Sequence, residues 1–150
     1  MLKNIYLFFI VLLLCSFTKH NHQTIAEEIT WETLSNITLK EVWSDKYKMK
    51  ITKPVFDATI RKLNGKMVSI TGFLIPTTTY GKEYVISQNS YSGCYFCGNA
   101  GIESIIELKF EGDNIRYKID RYLVVEGKLI LNEGDEFGFI YTLQNAKEVK

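Results

Sequence analysis

Histidine is nearly missing from this chain: only His20 and His22 occur, both in a polar stretch near the N-terminus. Nucleophilic hydrolysis of the Ser–His or Cys–His kind needs an imidazole fixed within hydrogen-bond reach of the nucleophile. The rest of the chain has none to offer. No glycine-rich phosphate loop is present. Basic residues form no block beyond pairs such as Arg61-Lys62, and the formal net charge is +1. Nucleic-acid binders carry a basic excess or stripe, so the balance speaks against a nucleic-acid partner. Carboxylates are plentiful, but Asp113, Asp120, Glu133 and Asp135 fall in turn positions, where such side chains cap backbone amides. They do not announce paired-carboxylate chemistry. No repeat or low-complexity stretch is visible, and no apolar run reaches the roughly 20 residues of a bilayer span.

The N-terminus does hold a shorter apolar run. Lys3 precedes ten apolar residues from Ile5 to Leu14, followed by the small-x-small series Ser16-Phe17-Thr18. This is the pattern of a secretory signal peptide over residues 1–18. Cleavage after Thr18 removes Lys3 and no acid, leaving 17 basic and 17 acidic residues. The reading is an exported protein, periplasmic or associated with the outer membrane, with no membrane span once the signal is removed. Lipidation at Cys15 would need a small residue before the cysteine. Leu14 stands there, which disfavours a lipoprotein.

Apolar residues make up 46% of the chain and charged residues 23%, values of a globular domain. Residues 19–28 read as a flexible lead-in and 29–150 as one domain. Within 29–52, short strands or turns packed on the main body are expected around Trp31, Leu34, Trp43 and Tyr47. Pro54 suits the first position of a helix, and Val55, Phe56, Thr59, Ile60 and Leu63 share one helical face. Asn64-Gly65 is a C-terminal stop. A short amphipathic helix over 54–64 follows.

Beyond it the period changes from 3.6 to 2. Strands are read over 66–76, 83–87, 103–110, 121–131 and 137–149. Val68, Ile70, Ile106, Leu108, Val125, Leu129, Tyr141 and Leu143 face inward. Gly72 and Gly127 interrupt the two long strands, as at a bulge or bend. Five strands bent in this way close on themselves. The fold class is therefore all-β with one short helix: a five-stranded antiparallel OB-like (oligonucleotide/oligosaccharide-binding) barrel preceded by an amphipathic helix. An open five-stranded sandwich is the alternative. The tyrosines and phenylalanines read as barrel core and cross-strand pairs before they read as a stacking surface.

Between the second and third of these strands runs Tyr91-Ser-Gly-Cys94-Tyr-Phe-Cys97-Gly-Asn-Ala-Gly101. Three chemistries fit its CxxC spacing. Two thiolates can chelate zinc or another thiophilic metal. A closed zinc site takes four ligands, so Glu103, another carboxylate, a second chain or an exogenous ligand would have to complete it. The pair can close a disulfide, which is natural in an oxidising compartment. Thiol–disulfide catalysis is the third, although such motifs usually open a helix near a βαβ unit. Haem attachment is excluded because Gly98, not histidine, follows Cys97.

Two stretches together resemble an uncharacterised family of exported bacterial proteins known only as a domain of unknown function. One is the Trp31 to Leu34 start with Leu63-Asn-Gly65-Lys66-Met-Val68-Ser-Ile70-Thr-Gly72-Phe73-Leu-Ile-Pro76. The other is the cysteine loop, where Cys94, Phe96, Cys97 and Gly98 with Ala100, Gly101, Glu103 and Ser104 are similar to one branch, Ile102 replacing a proline. Over roughly 29–147 the resemblance implies an OB-like fold and export. Other branches pair one cysteine with a nearby histidine, an interchange that implies a metal site more than a disulfide. The resemblance implies no activity. The overall expectation is a non-enzymatic envelope module that meets a small ligand or another envelope protein. A thiol–disulfide oxidoreductase and an oligonucleotide-binding protein are the rivals.

Overall fold

The computed structural model describes residues 25–78, 83–112, 117–134 and 138–149. The expected signal peptide, with Cys15, and residues 19–24 of the lead-in lie outside the described residues. Among the described residues no helix is long and apolar enough to cross a membrane.

The chain enters as a two-residue strand, β1 (Glu27–Glu28), which pairs in parallel with the start of β4. Helix α1 (Trp31–Ser35) follows, capped by the Thr30 side chain on the Thr33 amide. A long hairpin comes next, β2 (Ile37–Ser44) against β3 (Met49–Phe56), forming its own two-stranded sheet. Sequence reading expected strands here without placing them.

The expected helix over 54–64 shrinks to α2 (Ala58–Arg61). Pro54 lies in β3, opposite Leu39. A two-stranded hairpin leaves each strand one unpaired edge, where a missing N–H is tolerated. The helix instead starts at Asp57, whose carboxylate accepts the Ile60 amide at 2.8 Å. Gly65 ends the following turn at φ 79°, as its position foretold. Asp57→Ala is expected to cost about 1 kcal/mol, read as a drop in the urea midpoint with an unchanged slope.

Strands β4 (Met67–Pro76), β5 (Tyr84–Ser87), β6 (Ile105–Phe110), β7 (Arg121–Leu131) and β8 (Tyr141–Glu148) close into a barrel in the order β4-β5-β6-β8-β7, with β7 returning to β4. The expected all-antiparallel barrel needs correcting: β6 and β8 run parallel, and the other seams are antiparallel. The reason is parity. Directions cannot alternate all the way round a ring of five, so a closed five-stranded barrel keeps at least one parallel seam.

All eight residues expected to face inward are buried in one core, joined by Leu34 from α1, Phe56 from β3 and Ile60 from α2. The last strand begins at Tyr141 instead of 137, and Asn145 is an extra residue within it. Between the pairs Glu126–Lys147 and Lys128–Gln144, Gly127 alone faces both Asn145 and Ala146. On the other side β6 also skips Asn145. Asn145 takes the left-handed φ of 52°, a conformation asparagine tolerates. The bulge bends β8 around the barrel, and Gly127 makes room for it.

Candidate functional site

The cysteine loop joins β5 to β6 and is tied down at both ends. Gln88 N donates to Ser104 O at 3.0 Å, closing the neck. Tyr91 N donates to the Asp120 carboxylate at 2.7 Å, and Asp120 N donates to Leu74 O at 3.0 Å. This turn aspartate does cap amides, and the amide it caps anchors the loop. Two successive 3-10 turns, Tyr91–Gly93 and Tyr95–Cys97, place the cysteines. Gly98 ends the second at φ 74°. Cys97 N and Asn99 N both reach Cys94 O, at 3.1 and 3.4 Å, and the Asn99 amide group donates to Ser92 O at 3.1 Å.

This arrangement brings Cys94 and Cys97 together. Both thiols donate to the Tyr91 carbonyl oxygen, at 3.0 Å from Cys94 and 3.1 Å from Cys97. The sulfurs therefore lie no farther apart than about twice those distances, and both are free thiols. They differ in surroundings. Cys94 is fully buried against Ile75, Val85 and Ile105, with Phe139 alongside. These are the outward-facing residues of β4, β5 and β6, so the loop covers the outer wall of the barrel with a second small core. Cys97 faces solvent. Desolvation by the loop, then the charge and hydrogen bond of the Cys94 sulfur, push the Cys97 thiol above its ordinary pKa.

Glu103 stands apart from this pair. It sits in a further 3-10 turn, Ile102–Ser104. Its carboxylate folds back over Gly101, into the space that a Cβ there would need. Among the described residues no three of His, Cys, Asp and Glu gather as a metal cluster. The donor set does not make a closed tetrahedral zinc site. It does fit an open one: two soft sulfurs, one reachable from solvent, with further positions left to an outside ligand.

Sequence reasoning did not find the groove beside this loop. About 550 Å³ in volume, it runs between the β2–β3 hairpin, the cysteine loop and residues 138–140. Leu39, Met49, Ile51 and Pro54 line one wall, and Tyr95, Ile102 and Ile140 the other. Tyr95, one of the two residues between the cysteines, links the thiol pair to one groove wall. Phe96 meets Tyr95 and Phe139 edge-on, at 5.8 and 6.3 Å between ring centroids. Phe56–Tyr141 and Phe73–Tyr122 are core and cross-strand pairs of the expected kind, whereas Trp43, Tyr47 and Tyr91 are exposed.

The solved structure of a DUF3299 family protein from Pseudomonas aeruginosa is similar in fold, with a TM-score of 0.51 at 14% identity. The match covers 84% of this chain and 97% of that one. At this identity the likeness shows the fold alone. No family model matches the chain, and no curated protein matches it.

Proposed function

We propose that this chain is an exported, non-enzymatic OB-like module that takes up a thiophilic metal ion on Cys94 and Cys97. The observation that carries the reading is the convergence of both thiols on one carbonyl oxygen. The strand order supports the OB assignment: in barrel numbering it is first, second, third, fifth, fourth, with the fourth closing on the first, a five-stranded Greek-key barrel. The signal-peptide pattern supports export. Likeness in fold to a protein of an uncharacterised family agrees with the resemblance drawn from the sequence. The two sulfurs would hold the ion, and with so few protein donors the ion stays exchangeable. Such a site suits passing an ion to a partner more than holding a fold together.

The disulfide reading draws on the same closeness of the sulfurs. The oxidoreductase reading is weakened by the surroundings of the loop, which joins two strands and does not open a helix near a βαβ unit. An oligonucleotide role is weakened by the charge balance.

Elemental analysis and thiol titration of protein recovered from the periplasm test the proposal. About one equivalent of metal per chain, or per pair of chains, is expected. Cys97→Ala should abolish uptake at little cost in stability, because its side chain is exposed. Cys94→Ala should abolish uptake and also cost about 1–2 kcal/mol, because it opens space against Ile75, Val85 and Ile105. Two titratable thiols with no uptake of zinc or copper(I) would overturn the metal reading. A retained Met1 would overturn the export reading.

A further inference from the structure

Two sulfurs leave a zinc-like ion half coordinated. Such an ion closes at four ligands, and among the described residues no third His, Cys, Asp or Glu joins the pair. An ion seated on both sulfurs would lie about 2.3 Å from each. It would therefore sit that close to the sulfur of Cys97, which is at the surface, and another molecule could reach its remaining positions. Soft ions favour sulfur to fill them.

The loop around Cys97 has the character of a surface that can meet its own copy. No charged residue occurs between Glu83 and Glu103, although charged residues make up 23% of the chain. Asp120, at the foot of the loop, is engaged by the Tyr91 amide. Tyr91, Tyr95 and Phe96 stand exposed, ring types that concentrate in the centres of protein interfaces. In a twofold dimer a residue near the axis faces itself. A charge there would meet its own like charge, a cost that an uncharged aromatic loop avoids. We propose that two copies of this chain close one ion between them, Cys94 and Cys97 of each copy supplying its four sulfurs. This inference rests on the metal reading of the loop. Four thiols give up their protons to solvent as the four metal–sulfur bonds form. The ion is then held tightly only while the two chains stay together, and parting them returns it to the open, exchangeable form.

The test uses the exported chain carrying Cys15→Ser, with a phosphine reductant, so that the loop supplies the only thiols and no disulfide forms. Zinc alone should convert monomer to dimer at one ion per two chains, read by sedimentation equilibrium with elemental analysis. A chelator should reverse the change. Because two chains share each ion, a tenfold rise in protein should lower the half-saturating free zinc about tenfold. A site completed within one chain would show no such dependence. Cys97→Ser should stay monomeric. Phe96→Glu keeps both thiols but sets like charges across the axis, and should weaken zinc-linked dimerisation about tenfold or more. Phe96 is exposed, and unchanged circular dichroism would show that the variant folds. Uptake of one zinc per chain by a protein that remains monomeric would overturn the inference and leave the metal reading standing. No uptake by free thiols would overturn both. A dimer that persists in chelator or in Cys97→Ser would also overturn the inference, because the ion would not be what joins the chains.

Discussion

Gly72→Val is expected to remove a large share of the stability of the barrel. A Cβ at this position would lie 2.5 Å from the Ser87 carbonyl oxygen, 2.9 Å from Ile86 Cγ1 and 3.1 Å from the Trp31 ring. The oxygen belongs to the backbone of β5, paired to β4 at that level, and cannot swing aside. The ring is held too, because Trp31 Nε1 donates to Thr71 O at 2.8 Å. Relief would require β5 or α1 to part from β4. Overpacking of this kind costs about 3 kcal/mol, and a small domain holds only about 5–15. Gly98→Ala is the comparison: φ is positive there, but no atom lies within 4 Å of the added Cβ, so only backbone strain of about 1–2 kcal/mol is incurred. Chemical denaturation of both variants checks this. Equal midpoints would refute the close-approach argument.

Gly72 also shows how far the sequence could be read. Its place inside a strand marked it as special, and the expected cause was a bend. The register of β4 shows no shift there. There is no bulge, and a side chain is excluded first by the β5 backbone at Ser87 and then by the indole of Trp31, 41 positions earlier, contacts that no local pattern encodes. Gly127 was read the same way and does stand at a bulge, but the extra residue, Asn145, belongs to the facing strand. Period-2 alternation located the five barrel strands and their inner faces, because burial on one side writes itself into every second residue. It does not carry strand direction, so the parallel β6–β8 seam went unread, although closure by five strands already required one.

The site divides along the same line. CxxC spacing announced Cys94 and Cys97, since three residues of chain keep two sulfurs near each other wherever the loop goes. Their inequality was not announced. It arises because Ile75, Val85 and Ile105 face away from the barrel interior and need a cover, which the loop supplies with Cys94. A trace of this was present in the neighbouring apolar residues Leu74-Ile75, Tyr84-Val85-Ile86 and Ile105-Ile106, where a strand buried on both faces loses its alternation. The groove had no such trace, because it depends on the β2–β3 register and on where the hairpin lies against the loop.

Tyr141→Phe is expected to loosen the joint between α1 and the barrel, with a signature in pH. The Tyr141 hydroxyl is buried and donates to the Leu34 carbonyl at 2.7 Å, at the C-terminal end of α1. Its ring packs on Phe56, 5.5 Å between centroids, so one side chain holds the barrel floor, the helix and the hairpin base together. Removing the hydroxyl leaves a carbonyl without that donor in the core, a cost of about 1–3 kcal/mol. Tyr141→Ala, which also deletes the ring, should cost about 3–5 kcal/mol. Burial, then the charges of Glu103 and Asp57, raise the Tyr141 hydroxyl well above the ordinary tyrosine range. A raised folded pKa favours the protonated folded state. The stabilisation is complete below the unfolded value of about 10 and is lost as pH rises beyond it, by up to about 1.4 kcal/mol per unit. Denaturation midpoints of the parent should therefore fall through the alkaline range. Tyr141→Phe should start lower and fall less steeply. A residual slope is expected from Tyr117, whose hydroxyl is raised by partial burial and then by the Glu148 carboxylate. Parallel alkaline slopes in parent and Tyr141→Phe would show that the Tyr141 proton is not what the fold defends.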